Sequence, residues 1–525
     1  MVCTKAVRTR CAVNLRSHGT WDEKFCSRTE DLASGIDRCL EPNGKFDNVK
    51  IRRSARRWDD NCSMSHHRQE CENHWCCIGK DANLEANQIT CIGISTQRGS
   101  FTTWNRETGK HYHNFITWKD LRADQMVKDW NSSLTMKGLR SGAHFLYMIS
   151  GSKRFLAGSV LKLMNTQTTL RLTWALHNVP GLKEAAMGGK AVFGGVDCWL
   201  LYKFTGKHIT DASSASATGL FDPFTMQWAG WAIKMFKLPR HMFPEVVDTA
   251  GNFGNVPKNL FGAEIPIRCS MADQAASLFG STSFQPGDLK ITLGTGTFVN
   301  VNTGTNPHAS LTGLYPLVGW RLGAETIYVV EGASNDTGSL IEWAKSIGII
   351  NEPEETSDLA KSVKDSDGVY FIPAFSGLQA PINDHTAAAG FLAVKPTSRK
   401  AHLVRSILES IVFRILLIYE SLQQETEFTY HRIRVDGGVS KNDFMMQLLA
   451  DVTGLQVERA ISSEMSILGV AFLAGLSFGV WNSREELLQL REVEKVFSPK
   501  RERQQDYQAI VELWQKAVER FKDWY

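Results

Sequence analysis

The sequence predicts an α/β protein of more than one domain, and three observations carry that expectation. The chain has 525 residues, more than one hydrophobic core usually serves. From about residue 88 to 480, short β-branched runs alternate with amphipathic stretches, as strands and helices do in succession. Several of those runs end in Gly-, Thr- or Asp-bearing turns just ahead of a helix, where a backbone can approach a ligand closely. Composition bounds the class further. The apolar share of 43% and charged share of 22% are those of a soluble globular protein. A net charge of +4 on this length argues against a nucleic acid or other polyanionic partner. No apolar run reaches the ~18 residues of a membrane span. The longest, "ILGVAFLAGLSFGVW" (467–481), is rich in Gly and Ala and reads as a buried helix. The N-terminus shows no apolar core of a secretory signal. Of the eleven cysteines only Cys198 and Cys269 follow Cys91, so most of the chain reads as a reduced, cytoplasmic protein without disulfides.

Residues 1–85 form an atypical Cys- and Arg-rich segment ("IRRSARRWDD", "CSMSHHRQECENHWCC") without helical or strand period, expected to be disordered. Cys62, Cys71, His74, Cys76 and Cys77 fit no standard zinc spacing, and no metal site is assigned. "NQITCIGIST" then reads as a strand, and "RGSFTTWNRETGKHYHNFITWKD" as a hairpin turning at "NRETGK". "AEIPIRCSMADQAASLFG" reads as a strand entering a helix, with Asp273 at the helix start. An acid there is stabilised by the free N–H groups, so the residue is either a functional carboxylate or an ordinary cap. "GDLKITLGTGTFVNVNTG" (287–304) gives two strands around Gly294–Thr297, either a phosphate-approaching turn or a plain hairpin. "EGASNDTGSLIEWAKS" (331–346) places small residues before an amphipathic helix. "IRVDGGVSKNDFMMQLLADV" (433–452) gives strand, Asp-Gly-Gly, helix, a loop able to present N–H groups to an anion but neither G-x-G-x-x-G nor a Walker A loop. The C-terminal "QDYQAIVELWQKAVERFKDWY" puts Tyr507, Ile510, Val511, Trp514, Ala517, Val518 and Phe521 on one helical face.

Singly these motifs are bland; their order is not. With "GISTQRGSFTTWNRETGKHYHNFITWKDLR", "GGVDCWLLYKFTGKHITDASSASATGLFDP", "FIPAFSGLQAP" and "HLVRSILESI", the set resembles the FGGY family of carbohydrate kinases, and within it the glycerol kinases, from about residue 88 to 520. The resemblance implies a two-domain ribonuclease H/actin-like ATPase fold with an interdomain cleft. Its N-terminal domain would cover 86–285 and its C-terminal domain 286–485, followed by an amphipathic helix in 486–525. It implies ATP and Mg2+, a small-molecule polyol as substrate, and transfer of phosphate from ATP to a hydroxyl of glycerol or a similar polyol. It implies Asp273 as catalytic base, Gln274 and Arg98 as substrate ligands and Trp118 as an apolar wall. Thr295, Gly338, Gly438 and Asn442 fall at nucleotide-binding positions. Oligomeric state stays open.

Register matters in one place. Arg106–Glu107 imitates the glycerol-binding Arg-Glu pair of glycerol kinases. The family pair follows a Gln, which here is in "TQRGS", so Arg98 keeps the arginine and Gly99 stands at the glutamate. The family's tyrosine position falls near Thr166. The family's opening D-x-G-[ST] phosphate loop is not recognisable: "SGIDRCLEPNGK" (34–45) has Asp37 without the following Gly-Thr. Without that loop's strands, the first sheet is expected to leave edges unpaired. These departures leave two alternatives to a polyol kinase, a pseudokinase scaffold that keeps the fold and a kinase for a different sugar.

Overall fold

The computed structural model describes Val2–Cys3 and residues 85–525. The expectations for residues 4–84, among them the Cys/His cluster and Asp37, lie outside the described residues. The first lobe is built on a four-stranded sheet in the order Val2–Cys3, Cys91–Thr96, Ile265–Ala272, Ala250–Val256. Cys91–Thr96 and Ile265–Ala272 run parallel, with Ile92 opposite Ile267 and Thr96 opposite Ala272. The edge expected to lie open is partly covered. Val2 and Cys3 pair antiparallel with Ile92 and Cys91. The expected hairpin does turn back antiparallel at 105–110, but its second run pairs irregularly. Phe101–Asn105 takes its full antiparallel partner from Ala191–Gly195, and the run after the turn reaches it only through single bridges at His111 and Ile116.

The second lobe is a seven-stranded mixed sheet. Its order is Tyr315–Leu322, Glu325–Ser334, Thr297–Gly304, Leu289–Leu293, Arg432–Asp436, Gln456–Ala460, Val493–Phe497. Leu289–Leu293 is buried along its whole length, as a central strand covered on both faces must be. The helix Lys400–Glu425 packs beneath it, contributing Ile411, Ile415 and Ile418 to the largest core cluster. The terminal helix Arg501–Glu519 joins that core through Tyr507, Val511, Trp514, Ala517 and Val518, on the face its period predicts. Trp514 Nε1 donates to the carbonyl of Phe371 at 2.9 Å, so the buried indole keeps a partner.

The stretch read as a buried helix forms Met465–Phe478. Although it lies between two strands of the second sheet in sequence, it packs on the first lobe: Val470, Phe472 and Leu473 share a cluster with Cys269, Met271 and Phe279, and with Trp320 and Val329 of the second sheet. Small residues allow the approach. A Cβ on Gly469 would stand 1.8 Å from the carbonyl of Ala276, and one on Gly280 would stand 2.1 Å from that of Met465. The helix therefore rests directly on Asp273–Gly280 and spans both lobes. Among the described residues, no helix is long and apolar enough to cross a membrane.

Candidate active site

Asp273 opens the helix Asp273–Gly280 where the strand Ile265–Ala272 ends. The N-cap of this helix is Ala272, so Asp273 stands at its first residue and not at the cap position. The Asp273 side chain keeps 23% of its surface open and lies 3.6 Å from Arg98 Nε. One of its oxygens accepts from the N–H of Gln274 at 2.8 Å. Gln274 is 4% exposed, and its Oε1 has no hydrogen-bond partner among the described residues. A buried amide oxygen left unpaired is costly unless a ligand completes it.

Arg98 sits just past the strand Cys91–Thr96 and reaches across to the second lobe. Its Nη2 donates to both carboxylate oxygens of Glu331 at 2.8 Å. Its guanidinium stands 5.6 Å over the ring of Phe298, which meets Trp118 at 6.2 Å between centroids. Burial works against the charge of Arg98, but Glu331 and Asp273 together hold its pKa above the usual value. Burial also raises the Glu331 carboxyl, and Arg98 offsets that only in part. Each of the two groups is the other's main partner.

Glu331 does not stand alone on its sheet. Asn300 and Tyr315 lie directly opposite it on the two neighbouring strands, so the three side chains rise from one face. Asn300 Nδ2 is buried and has no hydrogen-bond partner among the described residues. Burial and the charge of Glu331 push the Tyr315 phenol up to about 12, so it remains a hydroxyl donor at neutral pH. Its Oη lies 3.6 Å from Met164 Sδ, beside Thr166. Sequence reading named none of these three. A signal was present: Glu331 ends the apolar run "IYVVEG" as Asp273 interrupts a run of small and apolar residues, and a buried acid needs a partner. What the sequence withheld was that partner, 233 residues away.

The two departures at 99 and 166 prove to be neighbours. Gly99 has φ +71, and a Cβ there would stand 2.7 Å from the carbonyl of Thr166. The buried Arg171 staples the two, with Nη2 donating to the carbonyls of Gly99 at 2.8 Å and Thr166 at 2.9 Å. A side chain at position 99 is therefore strained in this arrangement, whatever its chemistry. Arg106 and Glu107 belong to the exposed turn after Asn105, where Arg106 Nη2 donates to the carbonyl of His241 at 2.8 Å.

The residues expected at the nucleotide gather on the second lobe. Gly294–Gly296 turns between Leu289–Leu293 and Thr297–Gly304. The carbonyl of Thr295 accepts from the N–H of Thr337 at 3.0 Å, and that of Gly294 from Gly338 at 3.0 Å. Gly338 is needed for that fit, because a Cβ would stand 2.7 Å from the Gly294 carbonyl. Gly438, by contrast, faces open space, with nothing within 4 Å of a built Cβ. Asn442 caps the helix Asp443–Thr453, accepting from Met445 N at 3.0 Å, and its amide donates to Thr356 Oγ1 at 3.0 Å. Ahead of the Gly-Gly turn, Asp436 is buried against Lys290 at 2.8 Å. It also accepts a very short hydrogen bond from Ser277, on the helix that Asp273 opens. That bond ties the acid's helix to the Asp-Gly-Gly loop. Lys119 crosses the cleft as well, donating to the carbonyl of Asn335 at 3.3 Å.

Fold and cleft together define a two-lobed actin-like phosphotransferase. The sequence profiles agree: residues 60–280 match the FGGY family of carbohydrate kinases, N-terminal domain, and residues 289–478 match its C-terminal domain. The chain belongs to the FGGY family of carbohydrate kinases. It is 46% identical to glycerol kinase 5 of Danio rerio over 453 residues, covering 85% of this chain and 86% of that one. It is 36% identical to the glycerol kinase of Petrotoga mobilis, covering 84% and 86%. Among solved structures, the Plasmodium falciparum glycerol kinase with ADP superposes with a TM-score of 0.71 at 30% identity, covering 82% of this chain and 84% of that one. A Lactobacillus acidophilus gluconate kinase shares the fold at 21% identity and TM-score 0.68, covering 82% and 84%.

Proposed function

We propose that the protein transfers the γ-phosphoryl group of ATP to a hydroxyl of glycerol, giving glycerol 3-phosphate and ADP. The observation that carries this reading is the pairing of an open carboxylate, Asp273, with the unpartnered Oε1 of Gln274 beside Arg98. The glycerol kinases above support the substrate. Glycerol would lie against Trp118, with hydroxyls donating to Gln274 Oε1 and accepting from Arg98. Asp273 takes the proton as the substrate oxygen attacks the γ-phosphorus, the bond to the β–γ bridging oxygen breaks, and ADP leaves. The Thr295 turn, Gly338 and Gly438 would receive the nucleotide, and Asn442 would hold the loop beside it by its cap. Mg2+ usually arrives with the phosphates and needs one or two protein carboxylates. Asp436 is committed to Lys290 and Ser277, whereas the open Asp273 fits that need. The ion would neutralise phosphate charge there. The free, buried Cys198 and Cys269 support a reducing, cytoplasmic setting.

An ADP-release assay tests the reading. Glycerol-dependent turnover is expected, and Asp273→Asn is expected to lower kcat by on the order of a hundredfold or more while leaving the circular dichroism spectrum unchanged. Equal background turnover in both proteins would instead mark a scaffold without transferase activity.

A further inference from the structure

We propose that the helical hairpin formed by Leu134–Ser150 and Lys153–Ser159 docks the protein peripherally on an anionic lipid surface. The hairpin is anchored at its base and bare at its tip. Met136 is fully buried and Leu163 nearly so. Asn131 Nδ2 donates to the carbonyl of Leu163 at 2.8 Å, and Arg140 Nε to that of Leu161 at 2.7 Å. The helices meet closely enough that a Cβ on Gly158 would stand 3.1 Å from that of Ala143. They turn at Gly151, which has φ +64 and donates back to the carbonyl of Tyr147. Around that turn the first helix displays apolar side chains to solvent. Phe145 is 58% exposed, Met148 64% and Ile149 69%. An isolated exposed leucine needs no explanation, but contiguous bulky apolar residues at a protruding tip do.

Charge says what fits there. From 134 to 163 the sequence contains Lys137, Arg140, Lys153, Arg154 and Lys162 and no acid. Arg154 is held by Asp222 at 2.7 Å, and Arg140 points inward. Lys137, Lys153 and Lys162 are exposed. Bulky apolar residues at the tip, flanked by lysines that make no ion pair among the described residues, make the pattern of a segment lying in the headgroup region, where apolar burial and attraction to acidic lipids add. The inference does not depend on the transferase reading, because none of these residues lines the cleft.

Co-sedimentation of the full chain with vesicles provides the test. Vesicles of phosphatidylcholine with phosphatidylserine are compared with phosphatidylcholine alone. Binding is expected on the acidic vesicles and to weaken as salt rises. The exposed-site variant F145S/M148S/I149S is expected to bind at least about tenfold more weakly, as is K137E/K153E. Glycerol-dependent ADP release, or circular dichroism if there is none, confirms that the variants are folded. Three results would overturn the proposal: sedimentation no greater than with phosphatidylcholine alone, binding unchanged in the triple variant, or a wild-type dimer in sedimentation velocity that the triple variant abolishes, which would make a second copy the occupant.

Discussion

At position 99 a glycine stands where the resemblance to glycerol kinases led to the expectation of a glutamate, and the structure shows why a side chain there is not easily accommodated. The positive φ and the nearby Thr166 carbonyl leave no room for a Cβ, and Arg171 holds both backbones in place. From the second lobe Glu331 and Tyr315 rise from one face of the sheet beside Arg98. If Tyr315 Oη reaches the polyol, Tyr315→Phe removes one hydrogen bond, about 0.5–1.5 kcal/mol. The expected outcome is a KM for glycerol raised roughly two- to tenfold with kcat little changed. An unaltered KM would show that the phenol serves packing alone. At this scale Asp273, Arg98 and Gln274 were legible because each lies within a contiguous motif. Glu331, Asn300 and Tyr315 were not, because what unites them is cross-strand register, and register is not written in any one segment.

Among the elements, the crossing of Asp273–Gly280 with Met465–Phe478 bears most directly on the site. Gly280 and Gly469 let the two helices touch through their backbones, and Ser277 on the first helix reaches Asp436 in the phosphate-side loop. Gly469→Ala must separate the helices and shift the strand-to-helix junction that presents Asp273. A loss of about 2 kcal/mol or more is expected in urea unfolding, with reduced turnover. Gly138→Ala is the control. It sits in a helix interior with nothing within 4 Å of a built Cβ, and is expected to stabilise by roughly 0.5–1 kcal/mol. Comparable losses in both would remove the close crossing as the cause. Strands and helices were largely readable from period and caps. The exception at 111–116 has a physical reason. Alternation marks a strand but does not name every partner: Phe101–Asn105 carries the irregular run at 111–116 on one edge and a full ladder with Ala191–Gly195 on the other.

For the whole molecule, the lobes are joined by Arg98–Glu331, by Lys119 to the Asn335 carbonyl, and by the shared core under Met465–Phe478. A ligand seated between them adds its binding energy to their association. ADP with Mg2+ at a hundredfold excess over its Kd is expected to stabilise the fold by about 2.7 kcal/mol, read as a raised Tm in a thermal shift assay. No shift at any ADP concentration would mean that the second-lobe loops do not hold a nucleotide. The sequence by itself determined the α/β class, the order of the motifs and the acid at the start of its helix, because period, caps and small-residue turns are local properties of a chain. Only the tertiary structure decided which carboxylate faces Arg98, which helix binds the lobes together and which lysines and apolar side chains stay bare on the hairpin. Those depend on contacts between residues far apart in sequence, and burial is settled only when the distant partner is in place.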